Sequence, residues 1–239
     1  MDSHPHSPYR PTTALALGLV ASIALFVVMS IVVMWSTSQE LELLGLAYQG
    51  SVIYDDWIYA NDRRQAIVSG FALLSFAVTA GLYLRWVFVT TNNARAFVDD
   101  FPANPVLSTA WYAIPGAHAW LPFRYLKAAY RASEPGEASR WQNRPVPRFL
   151  SLWWTLWLLF QFSILVSMGT DFFGAQLEYL VVGASAATIG SAIAVPLGVA
   201  TALTVWRLSA LQSRRAAGMA AARFAPVSGP WPGGVAQRV

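Results

Sequence analysis

Apolar positions in this chain fall in long unbroken runs, without the alternation of a half-buried strand or the single stripe of a water-facing helix. Four runs reach the roughly 20 residues that a helix needs to cross a hydrocarbon layer at about 1.5 Å per residue. They cover residues 14–35, 67–89, 149–168 and 179–206. The first and third hold no charged residue, and the second holds only Arg85, near its end. The pattern predicts an all-α integral membrane protein, a bundle of four transmembrane helices. A cleaved signal peptide is the competing reading of the first run. That run is about twice the length of a signal core, and no small-residue cleavage site follows Trp35, which favours a retained anchor.

Composition points the same way. The 239 residues are 56% hydrophobic and 12% charged, against about 25% charged in soluble domains. So little polar surface cannot cover a water-facing globule, and 14% aromatics are the opposite of a disordered composition. Cysteine is absent, which removes disulfides, thiolate metal sites, iron–sulfur clusters and thiol nucleophiles together.

Charge then sets direction. With four spans, both tails and the loop of residues 90–148 share a side that carries fourteen lysines and arginines, against two, Arg63 and Arg64, on the other. Positive residues stay cytoplasmic, so both termini and the long loop are expected inside a bacterial inner membrane. Trp35, Trp86, Trp153, Trp154, Trp157 and Trp206 lie at span ends and are expected as headgroup-level anchors. The division that follows is a flexible head (1–13), a membrane domain (14–208) and a tail (209–239), disordered from about 224. In the outer loop of residues 36–65, Tyr48, Tyr54, Trp57 and Tyr59 suggest an interfacial cap.

The inner loop carries most information. A helix continuing from span two is expected to stop near Asp99-Asp100-Phe101-Pro102, because proline lacks an amide donor and restricts the residue before it. Asn104-Pro105 signals a turn. Residues 106–118, with Trp111, Tyr112 and Pro115, are too short and broken to span, and read as re-entrant or interfacial. Pro122 suits the first turn of a helix. Arg124, Lys127 and Arg131 fall within about a 60° arc of that helix, opposite Phe123, Leu126, Ala129 and Tyr130. Such a basic face is attracted to anionic headgroups; the plainer reading is that it only obeys the positive-inside bias. Glu134 to Pro147 reads as a polar surface linker.

Those residues carry a resemblance. Asn93-Ala94-Arg95, Pro105, Trp111-Tyr112-Ala113-Ile114-Pro115 and Pro122, followed by an amphipathic helix and the pair Trp153-Trp154, resemble the domain-of-unknown-function 4328 family over about residues 67–207. The resemblance implies a multi-span bacterial membrane protein and no reaction. His118 stands where relatives commonly have asparagine, and Leu121 where they commonly have a basic residue. A ligand held by those two positions in relatives would meet an altered site here.

Recognisable chemistry is sparse. His118 has no acid near it in sequence, His4 and His6 sit in the head, and no zinc-ligand set is spaced for binding. Asp99-Asp100 are expected to terminate or solvate a helix end. Phosphate-cradling loops and nucleophile elbows are missing, and no nucleic-acid module is present. No Asp, Glu, Lys or His lies at a span midplane, unlike ion-coupled carriers. Gln161 is the most polar side chain well inside a span and is positioned to bond another helix. Gly190, Ala194, Gly198 and Ala202 form a small-residue seam that packs either within the bundle or in a homodimer, and Pro196 is expected to kink its helix.

The leading expectation is a non-enzymatic accessory, scaffold or lipid-binding membrane component without cofactor, metal or nucleic-acid partner. Its lipid- or partner-binding residues would be Asn93, Arg95, Trp111, Pro115, Trp120, Pro122, Arg124, Lys127 and Arg131. An oligomeric small-solute transporter or channel is the alternative, followed by a lipid-modifying enzyme using His118.

Overall fold

A computed structural model describes residues 9–136, 138–170, 172 and 176–224. The expectations for residues 1–8, Glu137, Asp171 and the tail beyond 224 lie outside those residues. Among the described residues, four helices are long and apolar enough to cross a membrane: α1 (Thr13–Tyr48), α2 (Asp55–Phe97), α5 (Phe149–Thr170) and α6 (Leu177–Phe224). Two short helices, α3 (Pro105–Ala110) and α4 (Leu121–Ser133), lie between α2 and α5. The protein is an all-α, multi-pass membrane bundle.

Three of the long helices outrun their apolar segments. The expected outer loop of residues 36–65 shrinks to a turn at 49–54, where Gly50 takes φ 76°, a left-handed value that glycine adopts without steric cost. Polar side chains hold the extensions together. Ser36 Oγ donates to Gln65 Oε1 at 3.0 Å, and Gln65 Nε2 donates to Glu40 Oε2 at 2.7 Å. Arg64 Nε donates to Ser36 Oγ at 3.2 Å. Burial raises the Glu40 carboxyl above its ordinary pKa, while nearby Arg64 opposes the shift. The expected aromatic cap therefore becomes two helix ends, with Tyr48, Tyr54, Trp57 and Tyr59 exposed along them.

Helices α1 and α6 form the centre, with α2 packed on α1 and α5 packed on α6. The seam of small residues lies at the centre of this arrangement. A Cβ on Gly198 would strike the Val27 side chain of α1, and one on Gly190 would strike Ser163 of α5. Ala194 between them is fully buried. Missing side-chain volume thus brings α6 close to both neighbours, where dispersion contacts accumulate. Helix α6 remains helical on both sides of Pro196.

Three of the six tryptophan expectations need correction. Trp35 and Trp206 are exposed, but Trp86, Trp153 and Trp154 are buried. Their indole N–H groups find partners inside the protein: Ser209 Oγ at 3.0 Å, Thr201 Oγ1 at 2.9 Å and Ala119 O at 3.1 Å. An indole with a satisfied N–H loses its reason to reach the headgroups.

Candidate functional site: the basic end of the bundle

The chain between α2 and α5 folds into a cap over one end of the bundle. Helix α2 stops at Phe97, ahead of Pro102. Asn104 then caps α3, its side chain accepting from the Val106 N–H, with Pro105 in the first turn. This pairing satisfies an amide left free by helix geometry while proline occupies a place that needs no donor. Tyr112 turns inward and shares a 3.0 Å hydrogen bond with the Tyr83 hydroxyl. Gly116, at φ 78°, redirects the chain into a single 3-10 turn, Ala117–Ala119. Helix α4 follows with Pro122 in its first turn.

The apolar face of α4 is seated as its periodicity predicts, with Leu126, Ala129 and Tyr130 buried. Phe123 stacks on Trp154, ring centroids 5.4 Å apart and planes within 3°. The linker after α4 departs from its surface-loop expectation. Trp141 is buried and donates to Asp100 Oδ1 at 2.6 Å, while Gln142 Nε2 donates to Asp100 Oδ2 at 2.9 Å. Asp100 ties that linker to the end of α2, in place of merely solvating a helix terminus.

Beneath the cap lies a polar network. Asn93 is fully buried. It accepts from the Arg10 N–H at 2.9 Å and donates to Arg10 O at 2.9 Å and to Gln212 Oε1 at 3.0 Å. Gln212 Nε2 donates onward to Thr90 O and Ser133 Oγ. These bonds pin the backbone ahead of α1, and Tyr9 adds a hydrogen bond with Ser213 and a ring contact with Phe97. Residues 9–12, predicted as part of a flexible head, are therefore held against the bundle.

Arg215 organises the rest. Its guanidinium donates to Ala132 O at 2.5 Å, Glu134 O at 2.6 Å and Phe97 O at 3.1 Å, and lies over the Phe97 ring at 5.3 Å. Those carbonyls belong to the C-terminal turns of α4 and α2, which lack intrahelical donors and carry partial negative charge. One cation thus closes two helix ends. Burial, and secondarily Arg144, lowers its pKa. Sequence reasoning missed both Gln212 and Arg215, which follow the last apolar run and read as an ordinary polar tail.

The nine residues singled out from sequence divide into two sets. Asn93 and Pro122 are buried. Arg131 Nε donates to Arg144 O, and Arg144 returns a bond to Arg131 O, so this cation is engaged within the cap. Lys127 rests over the Phe123 ring at 4.2 Å, and Trp111 is half-buried. Arg95, Pro115, Trp120 and Arg124 are exposed. Around them Val106, Leu107 and Ile114 are exposed too, and Trp120 keeps 62% of its surface accessible. The outer surface of the cap is therefore apolar and aromatic, with Arg124 one helical turn beyond Trp120.

A family model described as Domain of unknown function (DUF4328) matches residues 49–210, from the turn after α1 through most of α6. No curated protein matches the chain. No solved structure matches it either.

Proposed function

The chain belongs to the domain-of-unknown-function 4328 family, and from that premise we propose that it is a non-enzymatic inner-membrane component whose cap engages anionic lipid headgroups on the cytoplasmic side. The observation that carries this reading is the exposed surface of Val106, Leu107, Ile114 and Trp120 beside Arg124. Exposed aliphatic and indole groups suit the headgroup–acyl boundary, where an indole buries its ring and keeps its N–H wet. Cations beside them gain about 1 kcal/mol each near an anionic leaflet. The lopsided lysine and arginine count supports a cytoplasmic placement of the same end.

The test uses the full chain reconstituted into vesicles, with a photocrosslinker at position 120 or 124. Capture of phosphatidylglycerol, weakening as salt rises, is the expected result. Equal capture of phosphatidylcholine, or no capture, would defeat the reading. A reporter fused after residue 140 should remain on the cytoplasmic side; periplasmic activity would reverse the orientation.

A further inference from the structure

Beyond its apolar run, α6 borders an open pocket of about 340 Å³ at the basic end of the bundle. Phe97, at the end of α2, closes one side, and Pro135 and Gly136, just after α4, close another. Helix α6 supplies Arg214, Arg215, Gly218, Met219 and Ala222, which share one face at helical spacing. Arg215 stands about 14 Å along α6 from Trp206, where the apolar run ends, at 1.5 Å per residue. The headgroup layer is only about 5–8 Å deep on each side of the hydrocarbon. The pocket therefore opens to water.

Its walls are short of negative charge. Among the described residues, no Asp or Glu lines it. The C-terminal ends of α2 and α4 bring about half a negative charge each, which offsets one guanidinium and leaves the second. Arg144 adds to the positive field. It and Arg215 donate to the same Glu134 carbonyl, and burial first, then the Arg144 charge, lower the Arg215 pKa. Arg215 uses three of its five N–H groups on carbonyls, and it keeps 7% of its surface accessible. Arg214 is exposed and makes no hydrogen bond or ion pair among the described residues. Gly218 keeps the wall between them hollow. A Cβ there would find open space, with nothing within 4 Å, so packing does not call for glycine, which costs a helix interior stability. Gly136, at φ 129°, turns the chain without adding a side chain to the opposite wall.

We propose that this pocket binds the phosphate monoester group of a small water-soluble molecule, held by Arg214 and Arg215 over Gly218. Planar guanidiniums match the charge and oxygen geometry of such a group. Met219 and Ala222 leave an apolar wall for the organic part. A phosphate belonging to a bilayer lipid sits too close to the hydrocarbon to reach it. The site shares no residue with the exposed cap surface and stands whether or not the cap binds headgroups.

The experiment titrates the full chain, in phosphatidylcholine nanodiscs at fixed ionic strength, with inorganic phosphate, phenyl phosphate and phenyl sulfate, followed by calorimetry. Phenyl phosphate is expected to bind saturably, one per chain, about tenfold tighter than the singly charged sulfate. Arg214→Gln should weaken it about five- to tenfold. Gly218→Leu should abolish binding without lowering the melting temperature, because the new side chain enters open space and leucine is the better helix former. Loss of the site is thereby separable from loss of the fold. Arg124→Gln, on the cap surface, should leave binding unchanged; a loss there would move the ligand to the cap and overturn the proposal. Absence of saturable binding by inorganic phosphate and phenyl phosphate at millimolar concentration would overturn it too. Equal affinity for the sulfate would show a general anion patch, and unchanged binding in Arg214→Gln or Gly218→Leu would place the ligand elsewhere; each overturns it. Phosphatidic acid added to the nanodiscs should not compete, and full competition would replace the soluble ligand with a lipid headgroup.

Discussion

The two ends of α2 differ sharply. From Trp86 to Phe97 seven of its residues are buried, whereas before Trp86 only Asn61 and Ser75 are. Near the cap, α2 meets α4, α6 and the backbone at Tyr9–Thr12, with Asn93, Gln212 and Arg215 bonded across these elements while Thr12 Oγ1, Ser108 Oγ and Trp111 Nε1 are left without partners. Further along, α2 leans on α1 alone and faces α5 across open space, where Trp157 and Gln161 are unanswered. Within one bundle, one part is built as a locked core and the other as a cleft. The contrast teaches that side-chain bonds between residues distant in sequence, more than hydropathy, distinguish the packed end of this bundle from its open side.

Substitutions can break that contrast or sharpen it. Gly198→Leu should act on both regions, because the new side chain collides with Val27 and parts α1 from α6. A loss of about 3 kcal/mol is expected from overpacking, measured by denaturant titration in mixed micelles. Arg215→Leu should dissolve the locked end alone, leaving carbonyls of two helices unpaired. About 2–3 kcal/mol is expected, with proteolysis appearing near residues 134–147. Asn93→Leu should cost about 2 kcal/mol by orphaning Gln212 and Arg10, read in the same titration. Trp120→Ala should change stability by less than about 0.5 kcal/mol yet lower binding of the cap to phosphatidylglycerol vesicles several-fold.

The smallest effect concerns pH. Burial raises the Glu40 pKa in the folded protein, so the associated stability is present below the usual carboxylate pKa and fades as pH climbs through the raised value. Glu40→Gln keeps a side-chain oxygen for Gln65 and should flatten that dependence in melting curves between acidic and neutral pH.

Much of this was legible in the sequence. Unbroken apolar runs located the four long helices, and Pro102, Pro105 and Pro122 marked the cap's breaks. Helix lengths were not legible, because Ser36, Glu40, Arg64 and Gln65 look like a loop until they are seen pairing across two helices. Trp153 and Trp154 carried no sign of whether lipid or protein would cover them, since both surroundings are apolar. Asn93 stood out as special for a sound reason, but its partners are Arg10 and Gln212, more than 80 residues away in each direction. Gln161 was visible as a polar residue in a span; that it lacks a partner depends on the separation of α2 and α5, which no local pattern encodes.

The strap at Tyr9–Thr12 has a consequence for biogenesis. Its anchors include Ser213 directly and Gln212 through Asn93, so the residues ahead of α1 wait for α6 to be synthesised before they can settle. Contacts across such sequence separations form late, since the intervening chain must first be ordered. An emerging polypeptide therefore passes through a stage with three helices inserted and its basic end unlatched, and α6 is the bolt that ends it.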